Sequence, residues 1–402
     1  MAENVYIVDY QRVAFSRSRP AEPEKDVYNK VSMPAALGKL LKLLVERTKI
    51  DPLEIGDILI GCTMLMGEQF TFGGRTPVFL ADFPWQIPSE AMDRVCTSGM
   101  SAIHRGTMEI MLGYSDICLA GGMEHMSHLA LQPEHNPHMG FPPELMNPHF
   151  GQKYDLMTAL TMGLTAEKLY EECKAKFGVT REEMDHFGVR SHNLTEKAIA
   201  EGYFKGEIMP LEVEKEDGSK VVIAEDQAVR KGATYEATAT LKPAFKPEGG
   251  VTAGNSSPLN AGASAVMLMS EKALKKYKLE PMARIVSMGW AGVEPNMMGK
   301  GPVPASEIAL KHAKLQAKDM DFWEINEAFA IVPIYAIKML KIDQEKVNVK
   351  GGATAIGHPL AASGPRITGT LARILKEKKA KRGIATLCGG GGQGTATLIE
   401  RV

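Results

Sequence analysis

Short apolar runs alternate with amphipathic segments in the first and last thirds of the chain. Runs such as Val5–Val8 and Ile58–Gly61 have the length of strands and are bounded by polar or glycine positions. The segments between the runs carry apolar residues at helical spacing, as in the stretch that opens at Pro34. Strands that alternate with amphipathic helices are typical of sheet proteins with helices on their faces. The pattern therefore predicts an α/β fold.

The alternation occurs twice, and the two occurrences resemble each other. The apolar run at 116–122 ends in Gly-Gly, and the run at 383–390 ends in Cys-Gly-Gly. A helix start made of small residues precedes each run, at Ser98–Ile103 and at Ser363–Ile367. Two related halves packed back to back would bring their strand ends to one shared crevice, where α/β proteins place their sites.

The middle of the chain, residues 129–250, lacks this alternation. Residues 132–149 are rich in Pro, His and Met, which indicates irregular loop. Helical patterns open at Leu164 and at Arg181, and the charged stretch 213–220 predicts a hairpin turn. The chain then returns to the first half, so we expect a discontinuous N-terminal half (1–128 and 251–280), an intervening domain (129–250) and a C-terminal half (281–402).

Composition excludes several classes of function. The 402 residues suffice for two or three domains. The net charge is -1 and no long run of one sign occurs, which argues against nucleic acid or anionic membranes as partners. No apolar run is long enough to cross a bilayer. The five cysteines include no Cys-x-x-Cys pair, which fits a reducing compartment and disfavours structural zinc. Because the chain enters a strand-like run without a signal-peptide pattern, we expect a cytoplasmic location.

Four segments rich in glycine or small residues carry reactive side chains, and each follows an apolar stretch. The side chains are Cys96, Asn326, His358 and Cys388. Two cysteines and a histidine in such settings favour nucleophilic catalysis on a carbonyl, with the second cysteine handling a proton. Cys96 precedes a helical pattern, whose N-terminal N–H groups favour a thiolate, so we expect it to be the nucleophile. Taken alone, a buried packing role explains a free cysteine about equally well.

These segments, in this order and at these spacings, resemble the signatures of the thiolases, which make or cleave 3-ketoacyl-CoA. The signatures are Cys96–Gly99, Asn326–Phe329, Gly357–Pro359 and Cys388 with its glycines, and the resemblance covers essentially the whole chain. It implies two related α/β halves packed back to back in a layered αβαβα arrangement, with residues 129–250 as a loop domain that covers CoA.

The resemblance also implies the substrates and the assembly. The substrates are 3-ketoacyl-CoA and CoA, and no cofactor is expected to stay bound. The assembly is a homodimer or homotetramer, and a hydratase–dehydrogenase subunit remains open as a further partner.

The resemblance implies a role for each catalytic position. Cys96 carries the acyl group as a thioester, and His358 takes its proton, a task that a near-neutral pKa suits. Cys388 is the second acid/base, and the Gly390 N–H joins that of Cys96 in an oxyanion hole. Asn326 fixes a water that forms the other oxyanion hole with His358. The positions implied to contact CoA are Met162, Arg230, Phe245, Ala253, Ser257 and Phe329.

Other candidate sites are weaker. Glu327 either orients neighbouring polar groups or is purely structural. The chain has no phosphate loop and no dinucleotide fingerprint, so neither ATP nor NAD is predicted. A loose group of histidines lacks the i, i+4 spacing of helical metal ligands, so we expect no metal site. These histidines are His125, His128, His135, His138 and His149.

Departures from the thiolase pattern affect subgroup and local geometry. Thr161 precedes Met162 where biosynthetic members usually have His, which favours the degradative branch. Asn326, where mitochondrial trifunctional β-subunits typically have His, argues against that branch. Asp93, Ala261, Ala361 and Pro365 also replace commoner residues, and they leave the shape of the nearby loops open.

The preferred interpretation is a degradative 3-ketoacyl-CoA thiolase, and three alternatives remain. A biosynthetic acetoacetyl-CoA thiolase would run the same mechanism in reverse. A ketoacyl-ACP synthase shares the architecture but typically uses one Cys with two His, so Cys388 argues against it. A catalytically silent CoA-binding protein is disfavoured because Cys96, His358 and Cys388 are all present.

Overall fold

A computed structural model describes residues 3–129, 142, 144–145 and 147–402. The strands in this part of the chain are β1 (Val5–Val13), β2 (Asp57–Gly61), β3 (Ser89–Met92), β4 (Ile117–His125), β5 (Ile208–Met209), β6 (Leu211–Glu214), β7 (Lys220–Ile223), β8 (Ala261–Ser270), β9 (Ala283–Gly292), β10 (Phe322–Ile325), β11 (Arg382–Gly389) and β12 (Gln393–Glu400). The α-helices are α1 (Met33–Thr48), α2 (Arg75–Leu80), α3 (Ser98–Met111), α4 (Pro148–Tyr154), α5 (Leu156–Ala159), α6 (Met162–Phe177), α7 (Arg181–Ala200), α8 (Tyr235–Ala239), α9 (Glu271–Tyr277), α10 (Pro302–Ala313), α11 (Ile331–Leu340), α12 (Ala353–Ile356) and α13 (Ser363–Glu377).

The two halves of the chain contain the same order of strands and helices. The order β1–α1–β2–α3–β4–β8 in the first half recurs as β9–α10–β10–α13–β11–β12 in the second. In each half one pair of strands is parallel, β2 with β4 and β10 with β11, and the other pairs among these strands are antiparallel. These strands form one continuous sheet in the order β3-β2-β4-β8-β1-β9-β12-β11-β10. The two halves meet at a short pairing of β1 with β9, and corresponding strands follow in the same order outward from it.

Helices α3 and α13 form a central layer shared by both halves. Helix α3 packs on β2, β4 and β8 and also reaches β12, while α13 packs on β10 and β11 and also on β1 and β8. Their apolar residues, including Met100, Ile103, Ile367 and Leu371, belong to one core cluster. Helices α1 and α10 pack against the first-half and second-half strands respectively. The layered α/β architecture predicted from the sequence is confirmed.

Burial on both faces explains the composition of the central strands. All nine residues of β4 and all ten of β8 are buried. A strand covered by helices on both faces reads as a continuous apolar run rather than an alternating one. The apolar runs in the sequence are therefore strands of the middle of the sheet.

The middle region contributes helices and a hairpin. Helix α6 begins at Met162, two residues before the pattern predicted, and α7 begins at Arg181 with the Thr180 hydroxyl accepting from the Glu183 N–H. Strands β6 and β7 form the predicted hairpin. Most of the predicted loop 132–149 lies outside the described residues, and its end is helical because α4 begins at Pro148. Among the described residues, no helix is long and apolar enough to span a membrane.

Candidate active site

The nucleophile candidate Cys96 lies in a tight turn between β3 and α3. Val95 has a φ of 52°, a left-handed conformation that is costly for a β-branched residue. The Ser98 hydroxyl braces the turn by donating to the Val95 carbonyl (2.6 Å) and accepting from the Arg94 N–H (2.7 Å). The side chain of Asp93 accepts from the Val95 N–H (2.7 Å). This local bracing holds a strained backbone at the thiol.

The surroundings of Cys96 favour its neutral thiol. The backbone N–H of Gly390 lies near the Cys96 sulfur and acts to lower the pKa of the thiol. Burial nevertheless dominates and raises the pKa of Cys96 to about 11. This is opposite to the direction expected from the helix N-terminus, because α3 begins two residues after Cys96 and the sulfur is shielded from water.

Cys388 is the penultimate residue of strand β11, beside the turn that holds the nucleophile. Gly391 and Gly392 have φ values of 73° and 82°, so the turn that follows needs glycine. Burial raises the pKa of the Cys388 thiol, and a thiolate at Cys96 would raise it further. The two sulfurs are therefore close enough to influence each other's ionisation.

His358 is held from both its backbone and its ring. Its N–H donates to Asn260 Oδ1 (2.7 Å), and its Nδ1 lies 2.6 Å from the Ser363 hydroxyl. Gly357 before it has a φ of 112°, and a Cβ there would stand 2.5 Å from Asn260 Nδ2. When Nδ1–H donates to Ser363, Nε2 keeps a free lone pair.

The histidine is also neutral, for the same reason as the cysteines. Burial lowers the pKa of His358 to about 3, and the nearby Arg366 charge acts in the same direction. This pKa lies well below the near-neutral value expected from the sequence. A neutral imidazole is the form that can accept a proton from Cys96.

Asn326 follows β10 and meets the histidine ring. Its Nδ2 lies 3.3 and 3.4 Å from the two ring nitrogens of His358. Its Oδ1 is buried and has no hydrogen-bond partner among the described residues. Because buried polar atoms are normally paired, this oxygen is available to a ligand or a water.

Glu327 next to it links three segments around the site. Its carboxylate accepts from the Ser191 hydroxyl (2.7 Å), Asn348 Nδ2 (2.7 Å) and the Thr354 N–H (3.0 Å). Thr354 lies only four residues before His358. Because these three donors surround the carboxylate, the contacts fit both the orienting role and the purely structural one.

The nucleophile helix and the histidine loop pack against each other through glycines. A Cβ at Gly99 or at Gly122 would overlap the carbonyl oxygen of Ala361, and at Gly99 it would also stand 2.6 Å from Pro365 Cδ. Ala361 and Pro365, two of the departures from the thiolase pattern, therefore sit at this contact. Both are buried without displacing the loop from α3.

The six positions implied to contact CoA form two groups. The first group, Met162, Phe245 and Phe329, is apolar. Met162 lies beside Gly390, because a Cβ at Gly390 would be 3.4 Å from Met162 Sδ. The rings of Phe245 and Phe329 meet edge to face, with their centroids 6.1 Å apart. Arg230 and Ser257 are hydrogen-bonded to backbone, Arg230 to the Ala253 carbonyl (3.1 Å) and Ser257 to the Ala328 carbonyl (3.0 Å). Arg230, Ala253 and Ser257 line a single cavity. The isolated bridge between Ser256 and Phe329 places the two groups side by side.

Comparison with known proteins decides the family. Residues 5–272 match the thiolase N-terminal domain, and residues 279–401 match the thiolase C-terminal domain. The chain belongs to the thiolase family. The alternative of a ketoacyl-ACP synthase is thereby set aside.

Relatives of this thiolase cover its full length. It is 41% identical over 406 residues to a protein of Marinobacter nauticus and 40% identical over 404 residues to one of Saccharophagus degradans, both named 3-ketoacyl-CoA thiolase, with 99% of this chain and 98% of each relative aligned. Its fold matches crystal structures of the Bacillus anthracis acetyl-CoA acetyltransferase (TM-score 0.87, 35% identity) and of human mitochondrial 3-ketoacyl-CoA thiolase (TM-score 0.86, 33% identity). Each match covers 100% of this chain and 99% of the other.

Sequence reasoning missed three residues that support the thiolase site. Ser363 and Asn260 hold the ring and the backbone of His358. Glu124 accepts from Thr63, Gln69 and the Ala361 N–H, and burial raises its pKa to about 7. The only signal for Ser363 was its position five residues after His358, at a helix start.

Two of the histidines in the thiolase lie beside an acidic residue. Glu68, His125 and His128 bring ligand atoms within 4.8 Å of one another. The two rings are stacked and nearly parallel, with centroids 3.5 Å apart and an interplanar angle of 8°. Imidazole lone pairs lie in the ring plane, so parallel rings do not point at a common ion, and we assign no metal here. His135 and His138 lie outside the described residues.

Proposed function

We propose that this thiolase cleaves 3-ketoacyl-CoA with CoA, giving acetyl-CoA and an acyl-CoA shorter by two carbons. The observation that carries the proposal is the grouping of the two cysteines. The glycines after Cys388 pack against the turn that holds Cys96, since a Cβ at Gly389 would lie 3.0 Å from Thr97 Cγ2 and one at Gly390 would lie 3.1 Å from Val95 Cγ1. A neutral His358 in contact with Asn326 supplies the base. Curated relatives at about 40% identity carry this activity in their names.

The first half of the reaction transfers an acyl group to Cys96. His358 Nε2 takes the thiol proton while the sulfur attacks the keto carbon, and the bond between that carbon and the α-carbon breaks. The electron pair goes to the acetyl-CoA enolate, which Cys388 protonates at carbon. Because burial keeps both Cys96 and His358 neutral beforehand, proton transfer accompanies the attack rather than preceding it.

The second half returns the enzyme to its starting state. The Cys388 thiolate takes the proton of the incoming CoA thiol, and the CoA sulfur attacks the thioester. The Cys96 sulfur leaves and recovers its proton from His358. In this proposal, the N–H groups of Cys96 and Gly390 stabilise the oxyanion of the thioester step, and Asn326 with His358 stabilises the enolate oxygen through a water.

A chain-length series tests this direction of the reaction. The purified enzyme is assayed for thiolysis of acetoacetyl-CoA and of longer 3-ketoacyl-CoA esters, and for condensation of acetyl-CoA. The proposal expects higher kcat/KM on the longer esters, as Thr161 before Met162 favours. The similarity to an acetyl-CoA acetyltransferase supports biosynthetic condensation as the second candidate. Activity confined to four-carbon substrates would select that candidate, and no turnover at all would leave a silent CoA-binding protein.

We also propose a setting for the reaction. The enzyme serves fatty-acid β-oxidation in the cytoplasm and binds CoA only as a substrate. The five cysteines are free and buried, which suits a reducing compartment. Growth of a deletion strain on fatty acids, and fractionation of the native protein, test these two statements.

The protein is proposed to form a homodimer or homotetramer. Strand β3 is a sheet edge in the described chain, and the segment before it exposes several large apolar side chains. These side chains are Phe70, Phe72, Phe79, Leu80 and Trp85. Exposed apolar area beside an open edge strand is typical of an interaction surface. Light scattering that gives a monomer mass at micromolar concentration would contradict this assembly. Co-purification with a hydratase–dehydrogenase would add the further partner.

A further inference from the structure

A buried ion pair joins the strand that leads into Asn326 to the helix that holds the ring of His358. Arg366 Nη1 donates to Glu324 Oε2 (3.1 Å), and both side chains are 1% exposed. Glu324 lies in β10, two residues before Asn326. Arg366 lies in α13, three residues after Ser363, whose hydroxyl contacts His358. The pair therefore connects the two elements on which the catalytic amide and imidazole depend.

The spacing along each element places the ion pair beside the catalytic contact. The Asn326 N–H still bonds to the Thr386 carbonyl (3.0 Å), so the strand geometry continues to Asn326. Because alternate residues of a strand point to one face, Glu324 and Asn326 share a face, about 7 Å apart along the strand. Ser363 and Arg366 share a face of α13 and are about 4.5 Å apart along its axis. A shift of α13 along β10 would therefore disturb the ion pair and the catalytic contact together.

Stability alone does not account for the ion pair. Glu324 Oε1 and Arg366 Nε have no hydrogen-bond partner among the described residues, so the pair is incompletely satisfied. Burial raises the pKa of Glu324; the Arg366 guanidinium opposes this rise, and the carboxylates of Glu327 and Glu207 add to it. A buried ion pair with unsatisfied atoms is often no more stabilising than apolar side chains of the same size. What the pair adds is a contact of fixed length and direction.

We propose that Arg366 and Glu324 are positioning residues of this thiolase, and that their ion pair sets the height of α13 on β10 at which His358 meets Asn326. The proposal rests on the proposed function, in which Asn326 with His358 stabilises the enolate oxygen. Asn326 Nδ2 lies 3.3 Å from His358 Nδ1, and Ser363 ties the imidazole to α13. Without the pair, α13 packs on β10 through apolar contacts, which have no preferred direction. The amide and the imidazole then move apart.

The test replaces both charged side chains together, so that neither charge stays buried without its partner. Arg366→Met/Glu324→Met keeps two unbranched side chains, and replacing a whole buried ion pair by apolar residues is often neutral or stabilising. We expect thermal unfolding close to that of wild type. We expect kcat for thiolysis, per mole of folded enzyme, to fall by about tenfold or more, while the KM for CoA stays within about threefold.

Arg373→Met is the matched control on the same helix. Arg373 lies seven residues after Arg366, about 10 Å along α13, and its Nε is 3.5 Å from Glu207 Oε2. This variant also removes an arginine paired with a buried carboxylate, but at a distance from the catalytic contact. Its kcat is expected to stay within about threefold of wild type, because a misplacement must reach the catalytic groups to slow the reaction.

The kinetic outcome separates positioning from a merely structural role. A folded double variant that retains the wild-type kcat overturns the proposal, and so does an equal loss of kcat in Arg373→Met. If the double variant does not fold, Arg366→Lys carries the test, because its ammonium keeps the charge at the end of a side chain without the guanidinium fork. A loss of about tenfold in its kcat supports the proposal, and an unchanged kcat overturns it.

Crystal structures test the pair independently of turnover. If the wild-type enzyme cleaves no 3-ketoacyl-CoA, the proposed function fails, and the separation of Asn326 Nδ2 from the His358 ring still decides this proposal. A separation beyond about 3.5 Å in the double variant or in Arg366→Lys supports it, because the hydrogen-bond contact is then lost. The wild-type separation in the variant overturns it.

Discussion

The contact between Gly99 and the histidine loop offers the sharpest test of how the site is assembled. Gly99 belongs to α3, the helix that follows the nucleophile turn, and its missing side chain lets the Ala361 carbonyl and Pro365 approach. In Gly99→Ala, the new Cβ would overlap that carbonyl and stand 2.6 Å from Pro365 Cδ. Both neighbours are held by backbone, so neither can rotate away.

The magnitude follows from this distance. Two carbon atoms pack at about 3.5 Å, so α3 and the loop must separate by about 1 Å. Overpacking of this kind costs about 1–3 kcal/mol of folding stability. The same displacement moves Cys96 away from His358, and a misplacement of about 1 Å at a catalytic group can cost about a hundredfold in rate.

Gly106→Ala in the same helix is the matched control. A Cβ there would meet only side-chain atoms, at 3.0 Å from Leu59 Cδ1 and 3.1 Å from both Cys118 Cβ and Leu268 Cδ1, and Gly106 lies about two turns along α3 from Gly99. Replacing a helical glycine also gains about 1 kcal/mol of helix propensity. We expect this variant to keep its turnover.

The assay separates folding from catalysis. Thermal unfolding gives the stability of each variant, and turnover is measured well below the melting temperature, per mole of folded enzyme. Quenched mass spectrometry gives the rate of Cys96 acylation. Gly99→Ala should lose about a hundredfold in acylation while remaining folded. Acylation within threefold of wild type would refute the argument that this contact sets the geometry of Cys96 and His358.

Three further predictions follow from the site and the core. Cys96→Ala should lose more than about a thousandfold in turnover, because no other group can form the thioester; mass spectrometry of the quenched wild type should show acylation at Cys96, and acylation at Cys388 would overturn the assignment. Cys388→Ser should still acylate Cys96 from an acyl-CoA but should not release acetyl-CoA from a 3-ketoacyl-CoA, because a hydroxyl is far too weak an acid; near wild-type release in a single turnover would leave Cys388 a structural residue. His104 is buried and its pKa is lowered to about 3, so its contribution to stability is complete above pH 6.5, the ordinary value, and is lost at about 1.4 kcal/mol per pH unit as the pH falls toward 3. The difference in free energy of unfolding between wild type and His104→Gln should therefore shrink as urea titrations go from pH 6.5 to pH 4.5, and a constant difference would contradict the assignment.

Much of the fold was readable from the sequence because burial leaves a local pattern. Strands such as β4 and β8 are covered on both faces, and this burial is visible in the sequence as runs of apolar residues. The internal repeat followed from short-range similarity, and the structure shows the same topology in both halves. Segments whose structure depends on local turn chemistry, such as the hairpin of β6 and β7, were also predicted.

The protonation states of the catalytic groups were not readable from the sequence. The position of Cys96 before a helix predicted a thiolate, and the implied role of His358 as a base predicted a near-neutral pKa. Burial keeps both neutral, and burial is a property of the assembled layers. Desolvation by distant segments outweighs the local dipole, so local sequence alone gave the wrong direction.

The sequence by itself determined the chemical identity of this protein: which residues can form a thioester, move protons and bend the chain at the strand ends. The tertiary structure alone decided which of them meet. Ser363 and Asn260 hold His358, the Gly390 N–H lies near Cys96, and Arg366 pairs with Glu324. The physical reason is that most of these contacts join segments far apart in the sequence, and all of them depend on side-chain directions. Only the packing of the two halves of the sheet around α3 and α13 determines such distances.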